Sequence, residues 1–365
     1  MWTANNPTGQ STQLHYLDRL KLGLVVLVVL HHVAQPYGPP DWWYVQGTER
    51  WEPLERFTVV NGAFFMSLFF AISAYLLPRS YERKGGRRFL LDRFRRIGAP
   101  FLFGVAVIVP LLMYLHHRTY GEYPEFSFAH LWFLQHLLVY AILYAAWRTV
   151  IHRRPVVQEP RPLTTRMIVA GTAVIALGTY AIRIKWPVDT WIGILEFIQA
   201  EPSDLVQYGG LFVAGLLAYR YGWLTGITRR VGYTCLAIGG GLAAAQYAAL
   251  PALSRFYAPG GTGVRSLVWS TVESAMCVTL CVGLVVLFRE YANRPNVFLA
   301  RLGAASFTVY IVHVPVVVVL QLFVRDLAAA PLVKFLLVGA VALPVSFILA
   351  AGLRRVPYLR AWVGA

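Results

Sequence analysis

The chain has 365 residues, with 33 Lys and Arg against 17 Asp and Glu, a formal net charge of +16. Hydrophobic residues make up 57% and charged residues only 14%, against about 45–50% and about 25% in soluble domains. This excludes ordinary soluble domains, disorder and a disulfide scaffold, and points to a polytopic membrane protein. Cys235, Cys277 and Cys281 lie in apolar runs and read as buried thiols. Met1 to Tyr16 contains no Lys or Arg, so no cleavable signal peptide is expected.

In chain order, apolar stretches near the roughly 20 residues needed to cross a bilayer fall at Leu20–Tyr37, Phe57–Leu77, Ile97–Leu115, Ala129–Trp147 and Met167–Ile184. They continue at Leu205–Trp223, Val231–Leu250, Leu267–Phe288, Gly303–Val324 and Val333–Leu353. Pro39-Pro40, Gly85-Gly86, Pro155, Pro160 and Gly260-Gly261 mark joints, and Pro110 and Pro344 should kink the spans they interrupt. The expected fold class is all-α: one polytopic integral membrane bundle of about ten transmembrane helices over residues 1–365, with no separate soluble domain.

Charge tests the count. With flanks numbered alternately, 24 of the 33 basic residues fall on the side of the N-terminus, whereas the acidic residues divide 5 to 11, leaving Glu273 inside a span. The positive-inside rule puts the basic side, and both termini, in the cytoplasm of a multi-pass cell-membrane protein. The net charge is then a topology signal, and a nucleic-acid partner is not expected.

Within this frame some polar residues stand out. Lys21 and His32 have ten residues between them; eleven steps of about 100° return to nearly the same helix face, roughly 16 Å along the axis. Asp18 precedes Lys21 by three residues and shares that face, whereas His31 points about 100° away from His32. An imidazole at that depth is a natural proton carrier, although His31 and His32 also suit an interface, and Lys21 a snorkelling anchor. Arg93 and Arg96 are i,i+3 neighbours where the densest basic loop meets the third span; two guanidinia suit a phosphate or pyrophosphate, or an anionic lipid. Span four opens His130-Leu131-Trp132-Phe133-Leu134. In span nine Ser306, Tyr310 and His313 share a face. Glu273 is costly in mid-span unless paired or functional, and Asn61 and Ser73 place polar groups in span two. No metal-ligand spacing, P-loop or G-x-S-x-G elbow is present.

Together these residues resemble the membrane-bound acyltransferase family 3 of O-acyltransferases along essentially the whole chain. The marks are Lys21 to His32 preceded by Leu17-Asp18, the run Phe69 to Leu76, Arg93 and Arg96 followed by Pro100, Leu131-Trp132-Phe133-Leu134, and Tyr310-x-x-His313-x-Pro315. The resemblance implies transfer of an acyl group (acetyl, succinyl or similar) from cytoplasmic acyl-CoA, a substrate and not a bound cofactor, to a hydroxyl of a glycan, lipid-linked sugar or glycosylated small molecule. It makes His32 the catalytic imidazole, as general base or as acyl carrier. Lys21, in place of the family's usual Arg and oriented by Asp18, neutralises donor charge, and Arg93 and Arg96 engage the donor. Glu273 and His313 would orient His32 or hold the acceptor, with Tyr310, Trp132 and Ser73 in support. Gln135-His136 stands where many members carry Glu-Glu, which is similar to the glucan-modifying C-type branch, linked to succinylation of periplasmic glucans. The alternative reading is a transporter or flippase without acyl chemistry, which buried polar residues and positive-inside topology fit equally well.

Overall fold

The computed structural model describes residues 3–5, 11–38, 43–46, 49–151, 155–156, 158–253 and 258–364. The Pro39-Pro40 joint lies outside them. Ten long helical segments run through the described residues: α1 His15–Ala34, α2 Glu52–Lys84, α3 Gly86–Tyr120, α4 Ala129–Val150, α5 Thr165–Arg183, α6 Pro202–Tyr221, α7 Arg229–Leu253, α8 Val264–Tyr291, α9 Val297–Val324 and α10 Pro331–Leu353. Each contains most of one expected span. Two short antiparallel hairpins accompany them: β1 Thr3–Asn5 with β2 Ser11–Gln13, and β3 Ile192–Ile194 with β4 Ile198–Ala200. The protein is an all-α membrane bundle.

Seven of the ten, all but α1, α6 and α7, are long and apolar enough to cross a membrane by length and composition. α1 carries three charges, Asp18, Arg19 and Lys21, close to one end. The tenfold crossing therefore turns on α1, α6 and α7.

Local sequence sets the boundaries. Pro53, Pro202 and Pro331 sit in the first turns of α2, α6 and α10, where a missing N–H costs nothing. The side chains of Thr164 and Asn296 accept from Met167 N and Leu299 N and so cap α5 and α9. Gly121, at φ 82°, ends α3 in the left-handed region. The helix α3 is widened by two π-helical turns, Phe94–Gly98 and Gly104–Ile108. Each lies just before a proline, Pro100 or Pro110, which cannot donate to the carbonyl four residues back. Pro344 lies within α10, which stays helical throughout.

The core is built around α1, which packs against α2, α8, α9 and α10 and buries Leu17, Val29 and Val33 completely. Small residues bring helices together: a Cβ on Gly215 of α6 would lie 2.2 Å from the Ala71 carbonyl oxygen of α2, and one on Gly283 of α8 would strike the Leu236 backbone of α7 at 2.7 Å. With no hydrophobic driving force between helices in lipid, such close approach is a main source of association.

Candidate functional site

The described residues enclose two cavities that bear on the chemistry. One, of about 720 Å³, is lined by Glu55, Asp189, Glu201, Asp204 and Glu273, by Trp132, Trp191 and Trp269, and by His31, His32, His130 and His136; no Lys or Arg is in its described wall. The other, of about 620 Å³, is lined by Lys21, Arg79, Arg83, Lys84, Arg93 and Arg96 against a single acid, Asp92, and also by Ser73 and Ser306. Among the described residues Tyr310 alone lines both.

The imidazole of His32 belongs to the acidic cavity. It is sandwiched between the Trp43 ring (5.2 Å, 10° from parallel) and the His313 ring (5.1 Å, 28°). Trp43 is held by its indole N–H, which donates to Gln321 Oε1 at 2.8 Å. The Gln321 amide in turn donates to the carbonyls of His32 and Val33 at 2.9 and 3.2 Å. One glutamine thus fixes both the backbone and the stacking partner of His32. His313 Nδ1 donates to the Tyr310 carbonyl at 2.7 Å, which leaves its Nε2 as the lone-pair nitrogen. That Nε2 and His32 Nδ1 have no hydrogen-bond partner among the described residues.

His130 approaches from α4, 6.4 Å from His32 and 5.0 Å from His313 between ring centroids. Its Nε2 donates to the Ile311 carbonyl at 3.0 Å, and its own carbonyl accepts from the Tyr310 hydroxyl. The preceding Ala129 has φ 48°, a left-handed conformation that residues other than glycine seldom adopt. That turn delivers His130 to the cavity. Among the described residues, no group of three or more His, Cys, Asp or Glu is placed to hold a metal ion.

His31, about 100° from His32 around the helix, lines the same cavity. Its Nε2 accepts from the Gln35 amide at 2.9 Å, and its ring lies 5.0 Å from Phe65. The cavity is wide enough to meet both faces of the α1 terminus.

Glu273 also lines this cavity, but its carboxylate is bound by Arg183 at 2.6 Å. Arg183 has only 1% of its side chain exposed and reaches Asp204 at 4.0 Å. Asp204 accepts from the Tyr208 hydroxyl at 2.7 Å, and Tyr208 stacks on Trp132 at 5.5 Å. Glu201, in the segment before α6, accepts from Asp189 N and Ser203 Oγ, both at 2.8 Å. Burial and the Asp204 charge push it up to about 8; burial likewise raises Asp189. Gln135 and His136 hold the β3–β4 hairpin: Gln135 accepts from Gln199 N at 3.1 Å and donates to the Phe197 carbonyl at 3.0 Å, and His136 Nε2 donates to the Gln199 carbonyl at 3.0 Å.

At the basic cavity Lys21 pairs with Asp18 at 2.7 Å, the i,i+3 contact that the spacing predicts. Arg93 lies over the Phe89 ring and donates to Ser80 Oγ at 3.1 Å. Arg96 is more open and pairs with Asp92 at 2.9 Å, which also binds Lys84 at 2.6 Å. Arg93 ends a regular helical stretch and Arg96 sits in the first π turn of α3, yet both line the cavity.

Residues 14–351 match the acyltransferase 3 family, whose shared unit is described as an acyltransferase domain. The chain belongs to the acyltransferase 3 family. Glucans biosynthesis protein C of Salmonella paratyphi B (strain ATCC BAA-1250 / SPB7) is similar to it, at 24% identity over 373 residues, 95% of this chain and 93% of that protein. The proteins of the same name from Salmonella dublin and Salmonella enteritidis PT4 (strain P125109) show the same identity and coverage. No solved structure matches the chain. As a member of the acyltransferase 3 family the protein is a multi-pass membrane enzyme that transfers acyl groups other than amino-acyl groups, and not a transporter without chemistry.

The structure thus gathers the sequence-derived residues of this acyltransferase into two places: Lys21, Arg93, Arg96 and Ser73 at the basic cavity, with Asp18 held there by Lys21, and His32, Trp132 and Glu273 at the acidic one. Tyr310 stands between them, and His313 is buried against His32. Trp43, Gln321 and Arg183 carry no sequence motif and come from three separate segments.

Proposed function

We propose that this acyltransferase moves an acyl group from cytoplasmic acyl-CoA, taken up by the basic cavity, to a hydroxyl of a glycan or lipid-linked sugar in the acidic cavity. The similarity to Glucans biosynthesis protein C favours a glucan acceptor, and the positive-inside pattern favours the cell membrane, crossed ten times, with the basic cavity at the cytoplasm. The observation that carries the reading is the contrast between two adjoining cavities, one lined by Asp and Glu with no Lys or Arg in its described wall, the other mostly by Lys and Arg. CoA bears a diphosphate and a further phosphate, so its landing site must be cationic, as the wall from Lys21 to Arg96 is. Tryptophan faces and carboxylates suit sugar rings and hydroxyls.

In the reaction His32 removes the proton from the acceptor hydroxyl, whose oxygen forms the bond to the thioester carbonyl carbon. The carbon–sulfur bond breaks, and the CoA thiolate leaves and takes up the proton. Equally, His32 accepts the acyl group first and passes it to the acceptor. In either course the Trp43 and His313 rings fix the imidazole plane, and Lys21, paired with Asp18, and the two arginines neutralise donor phosphate.

Incubating the purified protein with radiolabelled acyl-CoA and a glucan acceptor tests this. Label should enter the glucan and free CoA should appear in equal amount. No labelled product with any short acyl-CoA, in protein that is folded and monodisperse, would overturn the donor assignment.

A further inference from the structure

The two cavities come within one helical turn of each other on four helices. On α1 Val25 lines the basic cavity and Val28 the acidic one; on α2 the pair is Phe69 and Met66, and on α4 Phe133 and Trp132. Three residues of helix span only about 4.5 Å. On α9 both walls are formed by one side chain, that of Tyr310. Its hydroxyl is tied to the His130 carbonyl across the bundle. Its ring meets those of Phe133 and His130 edge-on, at 5.6 Å and 5.5 Å.

We infer that the Tyr310 ring is a partition: it closes the passage between the two cavities, and the acyl end of the donor has to displace it to reach His32. This rests on the donor and acceptor assignment above. Tyr310 lies three residues before His313, which lines neither cavity and stacks on His32. The hydroxyl tie holds the ring across the gap at rest. The ring itself does the blocking, so a phenyl group in its place keeps most of the barrier and an alanine removes it.

An open passage has a chemical consequence. Water from the acidic cavity gains access to the thioester, its oxygen bonds to the acyl carbon, the carbon–sulfur bond breaks, and a carboxylic acid and CoA thiol leave with the protons conserved. The partition thus couples donor cleavage to the presence of an acceptor.

The test uses the full chain in membranes, with two readouts. In the first, CoA thiol release is measured with and without glucan acceptor. In wild type, release without acceptor should be a small fraction of release with it; Tyr310→Ala should raise that fraction about tenfold or more, and Tyr310→Phe by much less. In the second, Val25→Cys and Val28→Cys are exposed to a membrane-impermeant maleimide from each side; the native Cys235, Cys277 and Cys281 are buried. Each new cysteine should label from one side only, and from opposite sides, while addition of Tyr310→Ala makes both label from both sides. The labelling requires no chemistry, so it stands even if acyl-CoA is not the donor. One-sided labelling that survives Tyr310→Ala would overturn the partition, as would an unchanged fraction of acceptor-independent release in an active Tyr310→Ala protein.

Discussion

His313 lies nearly flat against His32, with ring centroids 5.1 Å apart and planes 28° from parallel. The contact is ring face to ring face, and the opposite face of His32 is covered by Trp43 at 10° from parallel. Glu273, which the resemblance makes a candidate to orient His32 or to hold the acceptor, lines the same cavity with its carboxylate bound by Arg183.

Stacking makes a graded prediction. Trp43→Ala should remove one wall of the sandwich and free the imidazole to tilt, lowering kcat by about a hundredfold, since a misplacement near 1 Å costs on that order. Trp43→Phe keeps a flat face but loses the bond to Gln321, so recovery should be partial. Steady-state kinetics on the two variants, at matched membrane levels, read the difference; equal kcat in wild type and Trp43→Ala would remove the stack from the account.

The donor assignment predicts a KM effect at the basic cavity. Arg93 and Arg96 line the basic cavity, and a hydrogen bond to a charged group contributes about 1.5–3 kcal/mol. Replacing both by Gln should raise KM for acyl-CoA by about tenfold or more. Lys at both positions restores charge without the planar fork, so KM should fall only part of the way back. An acyl-CoA titration that gives the wild-type KM for the double Gln variant would leave Lys21 as the better phosphate ligand.

Glu201 gives the acidic cavity a pH signature. Its carboxyl is raised from 4.5 to about 8, by burial first and then by the Asp204 charge. Between those values the folded protein keeps a proton that the unfolded chain has released, so stability falls as pH rises from 4.5 to about 8 and then levels. Glu201→Gln keeps an acceptor for Asp189 N and Ser203 Oγ but gains no charge. Its Tm in detergent should match wild type near pH 5 and exceed it near pH 9. A Tm difference independent of pH would mean that Glu201 is already ionised in the folded protein.

Topology tests the side on which each cavity opens. Reporter fusions after Gly121, Asp189, Gly260 and Asp326 should report the outer side, and those after Gly85, Pro155, Gly226 and Asn293 the cytoplasm. Two or more reversals would break the tenfold crossing, at α1, α6 or α7 first, and place the basic cavity away from cytoplasmic CoA.

The helices were legible because lipid demands long apolar runs, and those runs end at prolines, glycines and charges that the sequence displays. The Asp18–Lys21 pair was legible for the same kind of reason, as an i,i+3 contact within one helix. The π turns of α3 were not: each follows from a proline ahead of it, but the sequence does not say whether the freed carbonyl widens the helix or kinks it. Arg183 is not legible as a site residue, because a charge at a span end reads as an anchor. Only the packing of α5 on α8 reveals it as the buried partner of Glu273. Trp43 and Gln321 meet each other beside His32 across 278 residues of chain, and no periodicity encodes such a contact. His31 is turned about 100° from His32 on the helix, and only the width of the cavity, which the sequence does not show, brings both to its wall.

The most direct test of the account is acyl transfer by the His32→Ala protein. Purified wild type and variant, matched for folding by Tm and for amount, receive the same radiolabelled acyl-CoA and glucan acceptor, and the initial rate of label entering the glucan is measured. Loss of a positioned proton carrier typically costs about 10²–10⁴-fold, so transfer by His32→Ala should fall by at least that order while Tm holds. Transfer by His32→Ala at the wild-type rate would contradict the account and move the chemistry away from this imidazole.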